Sequence, residues 1–366
     1  MAGASRDLDA QVSPALRVVH LPARTPYVRK IVSPEFSILN GVGTAHGVVP
    51  DAVTAQWLLD RRPLDWFDVL HLHHVEFDDL PVLERLLAAC ADSAVRVVYT
   101  AHDVTPMFCT AEDFGARLAL LASAKVAWIG LTAGSVSALG DQLCGLPPVT
   151  VIPHGYVVPP DEVAGKVRTR GDFAPHYLLY GALRRNRDHL ATIANWSLSI
   201  TDSDARLSIL LRALSPADFE RHDVSALLAI TKSDPRIHTA MRAYPSDGEI
   251  VDAGIQADAL LLPYLFGSHS GQLELAFDLN LTPVCSSVGF LKEQHRKHRG
   301  LVNDPIWFDW AEGHPFLFGE KFVAALETAH PRLVHGPRKD PDPDFLDYRR
   351  EEHRDFLAAH AEIYAQ

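Results

Sequence analysis

Apolar runs that alternate with helix-like stretches are the feature that most constrains the fold of this 366-residue chain. The runs are short and almost continuously apolar, as strands buried on both faces are. Stretches with helical spacing of apolar residues, such as DLPVLERLLAACA, lie between them. The alternation predicts an α/β fold of parallel sheets covered by helices. The runs are LRVVHL, DVLHLHHV, VRVVYT, KVAWIGL and PVTVIP in the first half, and HYLLYGAL, ARLSILLRAL, ADALLLPY and TPVCSS in the second.

A polar connector, PPDEVAGKVRTRGDFAP, separates these two halves. The chain length suits two domains of ordinary size. We therefore predict a first domain over residues 1–157, a second over 158–344 and a terminal helix over 345–366. Ligands of such folds bind outside the carboxyl ends of the strands and in the cleft between domains. One face of the terminal helix carries, at helical spacing, Phe356, Leu357, His360, Ile363 and Tyr364.

The composition restricts the possible functions. Hydrophobic residues make up 47% and charged residues 22%, as in a soluble globular protein. Thirty-four Lys and Arg against 46 Asp and Glu give a net charge of −12, which argues against a nucleic-acid partner. Four scattered cysteines predict free thiols in a reducing compartment. No signal peptide and no apolar run near the roughly 20 residues of a membrane span are recognisable. We expect a cytoplasmic protein, with peripheral membrane attachment and oligomeric state left open.

The segment LFGSHSGQLELAFDLNLTPVCSSVG places small polar residues after a predicted buried strand. Ser268 or Ser270 suits the N-cap of a helix that begins near Gly271. Backbone N–H groups at such a helix start, with a glycine that permits close approach, form an anion site. Glu274 lies one turn inside the helix. Its carboxylate either accepts hydrogen bonds from paired hydroxyls, as on a ribose, or complements the helix dipole.

A second polar segment, LLYGALRRNRDHL, follows the first strand of the second half. The strand ends at Gly181, and Arg184 and Arg187 lie beyond it. Two guanidiniums at the carboxyl end of a strand can clamp a diphosphate and stabilise it as a leaving group. The alternative is a solvated basic turn.

Histidines are abundant, and three of them, His71, His73 and His74, resemble a metal cluster. On a strand, however, alternate residues face opposite sides, and no second group supplies evident ligands. We therefore predict no metal site. His102, which follows the strand VRVVYTA and precedes Asp103, is the better candidate for the cleft, although a capping His-Asp turn explains it equally well.

In their order and spacing, these segments resemble retaining glycosyltransferases of the GT-B fold, in particular the family 4 (glycosyltransferase group 1) nucleotide-sugar enzymes. LLYGALRRNRDHL is similar to the family segment whose basic residues hold the donor diphosphate. ADALLLPYLFGSHSGQLELAFDLNLTPVCSSVG is similar to the block that contains the ribose-binding glutamate. VTVIPHGY is similar to the strand that ends the first domain. The resemblance covers most of residues 65–366.

The resemblance implies two Rossmann-like domains that face a cleft, with the terminal helix crossing back to the first domain. The first domain would hold the acceptor and the second the donor. A sugar would pass from a nucleoside-diphosphate sugar, UDP- or GDP-linked, to a hydroxyl of a glycan, lipid-linked or small-molecule acceptor, with retention and without a metal or other cofactor. Arg184 and Arg187 would stabilise the leaving diphosphate, His102 would meet the sugar, and Glu274 would hold the ribose. The donor site would also include Gly181, His269, Ser270, Gly271 and Tyr244, the last either beside the base or simply a loop aromatic.

The chain departs from the family pattern at several positions. Phe266 stands where the family has the first of two glutamates, and Arg187 stands where it has a lysine. His269 and Ser270 are candidates to replace part of the missing hydrogen bonding. The glycine-rich loop after the first strand is not recognisable. These departures leave open a non-catalytic GT-B scaffold and, with less support, a sugar-nucleotide epimerase.

Overall fold

The computed structural model describes most of the chain. It gives the backbone alone for 41–44 and 47–50. All atoms are described for residues 15–23, 25–39, 53–61, 63–166, 174–243, 245–295, 298, 303–310, 314, 316–336 and 342–366.

Six parallel strands form the sheet of the first domain, in the order β2-β1-β5-β6-β7-β8, and β3 and β4 form a separate antiparallel pair. The apolar runs become these strands because both faces of the sheet are covered, and all four residues of β5 are buried. The strands are β1 Leu16–Leu21, β2 Phe36–Ile38, β3 Gly41–Thr44, β4 Gly47–Pro50, β5 Val69–Leu72, β6 Arg96–Ala101, β7 Val126–Gly130 and β8 Val149–Val151.

A second parallel sheet of six strands forms the other domain, in the order β11-β10-β9-β12-β13-β14. Its central strands β12 and β13 are buried along their whole length. The predicted α/β architecture of two parallel sheets is thus confirmed. The strands are β9 His176–Gly181, β10 Arg206–Arg212, β11 Ile237–Arg242, β12 Ala259–Leu262, β13 Thr282–Ser286 and β14 Ile306–Phe308.

Helices connect the strands and cover both sheets. Side-chain caps fix many of their starts, because a Thr, Ser or Asp oxygen accepts a hydrogen bond from a first-turn N–H group. Such caps are Thr110, Thr132, Asp188, Ser246 and Ser270. The helices are α1 Pro26–Arg29, α2 Ala55–Asp60, α3 Leu80–Asp92, α4 Ala111–Ser123, α5 Ala133–Gln142, α6 Pro160–Val163, α7 His189–Ser199, α8 His222–Ser233, α9 Asp247–Gln256, α10 Gly271–Asp278, α11 Phe316–His335 and α12 Pro343–Ala365, with short 3-10 helices at Val75–Phe77, Pro216–Glu220 and Leu291–Gln294.

The terminal helix α12 joins the two domains. Near its start, Phe345 packs in the core of the second domain. Near its end, Phe356, Ile363 and Tyr364 pack against Val18 and other residues of the first sheet. The predicted return of the last helix to the first domain is therefore confirmed. The predicted domain boundaries stay predictions, and residues 167–173 of the connector lie outside the described part of the chain.

None of the helices in the described ranges combines the length and the hydrophobicity that a membrane span requires.

Candidate functional site

A cavity of about 300 Å³ lies between the two domains, at the carboxyl edges of both sheets. The first domain contributes to it Arg29, Asp103, Met107 and His154. Of the predicted site residues, the second domain contributes Gly181, Arg184, Arg187, His269, Ser270 and Gly271. Six of the predicted site residues thus lie together at one cavity.

Contacts between the domains close the cavity on several sides. The backbone N–H of Val104 donates to Ser268 Oγ at 2.8 Å, so Ser268 bridges the domains and leaves the helix cap to Ser270. Arg29 of α1 forms two hydrogen bonds with the carboxylate of Asp247, at 3.0 and 3.1 Å, and both residues line the cavity.

Arg187 is held rigidly in the wall of this cavity. Its Nη1 donates to the carbonyl of Tyr180 at 3.2 Å, and its Nη2 donates to the Tyr264 hydroxyl at 3.0 Å. The guanidinium also lies over the Tyr264 ring, 4.8 Å from its centre. Nε of Arg187 is buried and has no hydrogen-bond partner among the described residues. No carboxylate of the described residues pairs with the Arg187 side chain. The positive charge is therefore positioned but not neutralised.

Gly181 makes room for this arginine. Its φ of +122° lies in the region that side chains rarely adopt. A Cβ there would lie 2.7 Å from Arg187 Nη1 and 2.7 Å from Gln272 Nε2, closer than atoms can approach. A glycine at the end of β9 thus lets the side chains of Arg187 and Gln272 approach the backbone.

The start of α10 forms another part of the wall. Ser270 Oγ accepts from the N–H of Leu273 at 3.0 Å and contacts the Tyr264 hydroxyl at 2.7 Å. The N–H groups of Gly271 and Gln272 have no acceptor among the described residues, as is usual at a helix start. These N–H groups at the amino end of a helix that borders a cavity suit an anionic ligand.

Further unpaired polar atoms belong to residues of the same wall. Asn186 Oδ1 and Gln272 Oε1 are buried and lack partners among the described residues, as Arg187 Nε does. Buried polar atoms in proteins are nearly always bonded, so a cluster of exceptions at one cavity points to a ligand. Arg212, at the end of β10, adds a further guanidinium to the lining. The sequence analysis did not single out Asn186, Arg212 or Gln272, although each lies at the carboxyl edge of the second sheet.

Glu274 lies behind the wall of the cavity. Its side chain is completely buried, Oε1 accepts from Gln294 Nε2 at 2.9 Å, and Oε2 is 3.2 Å from Nη2 of Arg349. His269, whose Nε2 is 4.0 Å from Oε1, stacks on His154. A ribose contact by Glu274 therefore stays a prediction, since this buried side chain is not one of those that line the cavity.

His102 is partly buried and is not one of the residues that line the cavity. Its Nε2 lies 3.1 Å from His73 Nδ1, and its ring packs edge-on against Tyr27. Its neighbour Asp103 lines the cavity instead. Burial, together with the nearby charge of Glu76, raises the pKa of Asp103 to about 7, against the opposing effect of Arg184. A contact between His102 and a sugar stays a prediction.

Three histidines of the first sheet lie close enough together to hold a metal ion, with one nitrogen from each of His20, His71 and His73 within 4.8 Å of the others. Hydrogen bonds already occupy most of these nitrogens. His71 bonds to Tyr364 and Thr100 at 2.7 Å each. His73 Nε2 lies 2.7 Å from His20 Nδ1. The sequence analysis did not include His20, because His20 lies on β1 and meets His71 of β5 only through the register of the two paired strands.

Tyr244, the predicted neighbour of the base, lies outside the described residues, but Pro245 next to it lines the cavity.

No protein-family model and no curated protein sequence matches the chain. Solved structures do. A glycosyltransferase from Rickettsia africae matches with a TM-score of 0.61 at 10% identity, over 96% of this chain and 98% of that one. Sucrose-phosphate synthase from Thermosynechococcus elongatus matches with a TM-score of 0.65 at 10% identity, over 96% and 98%. HepE from Anabaena, in complex with UDP and glucose, matches with a TM-score of 0.64 at 9% identity, over 96% and 99%. At this identity the likeness establishes the fold, GT-B, and confirms the architecture that the sequence predicted.

Proposed function

We propose that this protein is a glycosyltransferase that moves a sugar from a nucleoside-diphosphate sugar to an acceptor hydroxyl, with retention at the anomeric carbon and without a metal. The observation that carries the proposal is the cavity wall in which Arg187, the start of α10 and several unpaired buried polar atoms converge. Such a wall offers charge and hydrogen-bond donors to a diphosphate. The solved structure of HepE with UDP and glucose supports the same class of ligand.

In the proposed reaction, the bond from the anomeric carbon to the donor phosphate oxygen breaks while a bond to the acceptor oxygen forms on the same face. The acceptor proton passes to a donor phosphate oxygen, so a strong protein base is not required. Arg184 and Arg187 stabilise the negative charge that grows on the leaving diphosphate. Their guanidiniums can supply the positive charge that a metal would otherwise provide.

Asp103 is the residue that we add to the predicted set. It lines the cavity from the first domain. With a pKa of about 7, its carboxyl group is present in both protonation states near neutral pH. It can therefore accept or donate a hydrogen bond to a sugar hydroxyl. We place the reaction in the cytoplasm, and the donor nucleotide is UDP or GDP.

Nucleotide binding tests this proposal directly. Titration calorimetry with UDP and with GDP should give saturable binding of one of them to the full chain. Arg187→Ala should weaken that binding about 10- to 100-fold, because a charge-assisted hydrogen bond contributes roughly 1.5–3 kcal/mol. Arg332→Ala is the matched control, since Arg332 is an exposed arginine of α11 that does not line the cavity. Absence of binding for both nucleotides would refute the proposal.

A non-catalytic GT-B scaffold is the second candidate, and Phe266 in place of the family glutamate favours it. A scaffold that keeps the cavity would bind the nucleotide without turning over the sugar. Release of free nucleotide from a bound UDP- or GDP-sugar, measured with and without added acceptors, separates the two. The enzyme releases nucleotide faster when an acceptor is present, and the scaffold does not.

A further inference from the structure

Two exposed phenylalanines lie side by side at the edge of the cavity. Phe77 is 57% exposed and Phe108 is 50% exposed, and their ring centres are 5.0 Å apart with planes tilted by 42°. We name this pair the aromatic ledge. Neither ring lines the cavity itself, but Met107, the residue before Phe108, does, so the ledge lies beside the cavity on the side of the first domain.

The ledge is held in place by one carboxylate. Oε1 of Glu76 accepts hydrogen bonds from the backbone N–H groups of Met107, Phe108 and Cys109, at 2.9, 2.8 and 3.3 Å. Glu76 immediately precedes Phe77, so this residue links the two backbone segments that carry the rings. A surface that exposes two large apolar side chains and also fixes their backbone is preorganised for binding, because less conformational entropy is lost when a ligand settles on it.

Arginines connect the ledge to the proposed donor site. The guanidinium of Arg184, which lines the cavity, lies 6.0 Å from the centre of the Phe108 ring. Nη2 of Arg185 donates to the carbonyl of Pro106 at 3.1 Å, and its guanidinium lies 5.5 Å from the Phe266 ring. A ligand on the ledge would therefore meet aromatic faces and positive charge beside the site of transfer.

We propose that the aromatic ledge of Phe77 and Phe108 is an acceptor subsite for a soluble acceptor that carries a flat aromatic ring with an anionic substituent. The ring would stack on the exposed faces of the ledge, and the anionic group would lie toward Arg184 or Arg185. This inference rests on the proposed function, because it places the ring of the acceptor next to the transfer site.

Other occupants suit the ledge less well. A net charge of −12 opposes docking on an anionic membrane surface. The surface of two side chains is also far smaller than the roughly 800 Å² that each partner buries in a standard protein interface. A flexible acyl chain would lose more conformational entropy than a rigid ring when bound to an open ledge. A ring with a negative charge matches both the aromatic faces and the arginines.

The test uses the full chain saturated with the nucleotide that it binds, UDP or GDP, and two probes, 4-nitrophenyl phosphate and methyl phosphate, titrated by NMR. The aryl phosphate should bind at least about tenfold more tightly than methyl phosphate. Phe77→Ala and Phe108→Ala should each weaken aryl binding about two- to tenfold, the range of one aromatic contact. Phe108→Leu should also weaken it, because an aliphatic side chain offers no ring face. Phe219→Ala is the matched control, since Phe219 is 54% exposed but belongs to the 3-10 helix Pro216–Glu220 of the second domain.

The outcomes separate this inference from the proposed function. Affinity for this nucleotide should be equal in the parent and in all four variants. If the nucleotide binds but the aryl preference is absent, or if the preference survives both alanine variants, the ledge is not the subsite. If neither UDP nor GDP binds the parent, the proposed function itself fails. Pelleting with phosphatidylglycerol vesicles that depends on Phe77 and Phe108 would overturn the inference in favour of a membrane surface.

Discussion

Two arginines on opposite sides of helix α10, the buried Arg349 and the partly buried Arg187, have neighbours of opposite kinds. On the face toward α12, Arg349 is 1% exposed and is surrounded by acceptors. Its Nε donates to Asp278 at 2.9 Å, and its Nη2 donates to the carbonyl of Gly155 at 3.0 Å and lies 3.2 Å from Glu274. Its Nη1 pairs with Glu352. Helix α10, helix α12 and the segment between the domains thus share one guanidinium.

On the face toward the cavity, Arg187 has neutral partners alone among the described residues, the Tyr180 carbonyl and the Tyr264 hydroxyl. Its Nε has none. Coulomb attraction to carboxylates balances the desolvation cost of Arg349, but no carboxylate of the described residues does so for the partly buried Arg187. The comparison teaches that the charge of the neighbouring groups, in addition to burial, distinguishes a structural arginine from a ligand-binding one.

The largest expected effect is on the structural side. Arg349→Ala should lower the free energy of unfolding by about 3–5 kcal/mol, because it leaves the carboxylates of Glu274 and Asp278 buried without their cation. Urea denaturation measures this loss. Arg354→Ala is the control on the same helix, since the Arg354 side chain is 73% exposed and its removal should cost under about 0.5 kcal/mol.

Nucleotide affinity distinguishes the structural arginine from the proposed ligand-binding one. At temperatures where Arg349→Ala is folded, its affinity for UDP or GDP should match that of the parent, whereas Arg187→Ala should lose affinity with little loss of stability. An Arg349→Ala protein that is as stable as Arg354→Ala would contradict the structural role. Equal losses of affinity in Arg349→Ala and Arg187→Ala would remove the contrast between the two faces.

A smaller effect is expected for Glu274→Gln, which keeps the shape of the side chain and removes its charge. The variant should lose about 1.5–3 kcal/mol of stability, the range for a charge-assisted hydrogen bond. Nucleotide affinity decides the predicted ribose contact. It stays within about threefold of the parent if the carboxylate bonds within the protein alone, as it does to Gln294 and Arg349. A drop of tenfold or more, measured by calorimetry, would assign Glu274 to the ribose.

Local sequence patterns predicted much of the fold and part of the candidate site. The alternation of apolar runs is sufficient to predict the two sheets, since parallel strands buried on both faces need continuous hydrophobicity. Gly181, Arg187 and Ser270 were predicted because each lies within a few residues of a strand end, where the path of the chain is set by nearby residues. Their convergence on one cavity follows from the shared carboxyl edge of a parallel sheet.

Long-range partners could not be predicted in the same way. Glu274 and Arg349 are 75 residues apart, and spacing within α10 gives no sign of the guanidinium that approaches from α12. His20 meets His71 because β1 and β5 pair in one register, and a shift by one residue would have turned the side chains away from each other. Phe77 and Phe108 likewise meet through the side chain of Glu76, which local patterns do not reveal.

Histidines of the first domain and of α12 extend the comparison, since most of their ring nitrogens, like the guanidinium of Arg349, bond within the protein. Burial lowers the pKa of His20 to about 3 and that of His360 to about 4. Both values lie below the ordinary 6.5, so the unfolded chain binds more protons between pH 6.5 and 4. Stability from these rings is therefore complete above pH 6.5 and is lost as the pH falls toward the folded-state pKa. Asp103 acts with the opposite sign, because its raised pKa makes stability fall as the pH rises from 3.8 toward 7.

Single-residue variants isolate the histidine contribution, which is the smallest effect that we predict. Between pH 7.5 and pH 6.0, the parent should lose about 0.8 kcal/mol more stability than His360→Gln, since one proton is taken up on unfolding by a ring that stays neutral when folded. His238→Gln, at an exposed position on β11, is the control for the substitution itself. Urea denaturation at the two pH values gives each difference. Equal pH dependence in the parent and in His360→Gln would mean that the pKa of the ring at position 360 is the same in the folded and the unfolded protein. The contrast between bonded histidines and the unneutralised Arg187 would then not hold there.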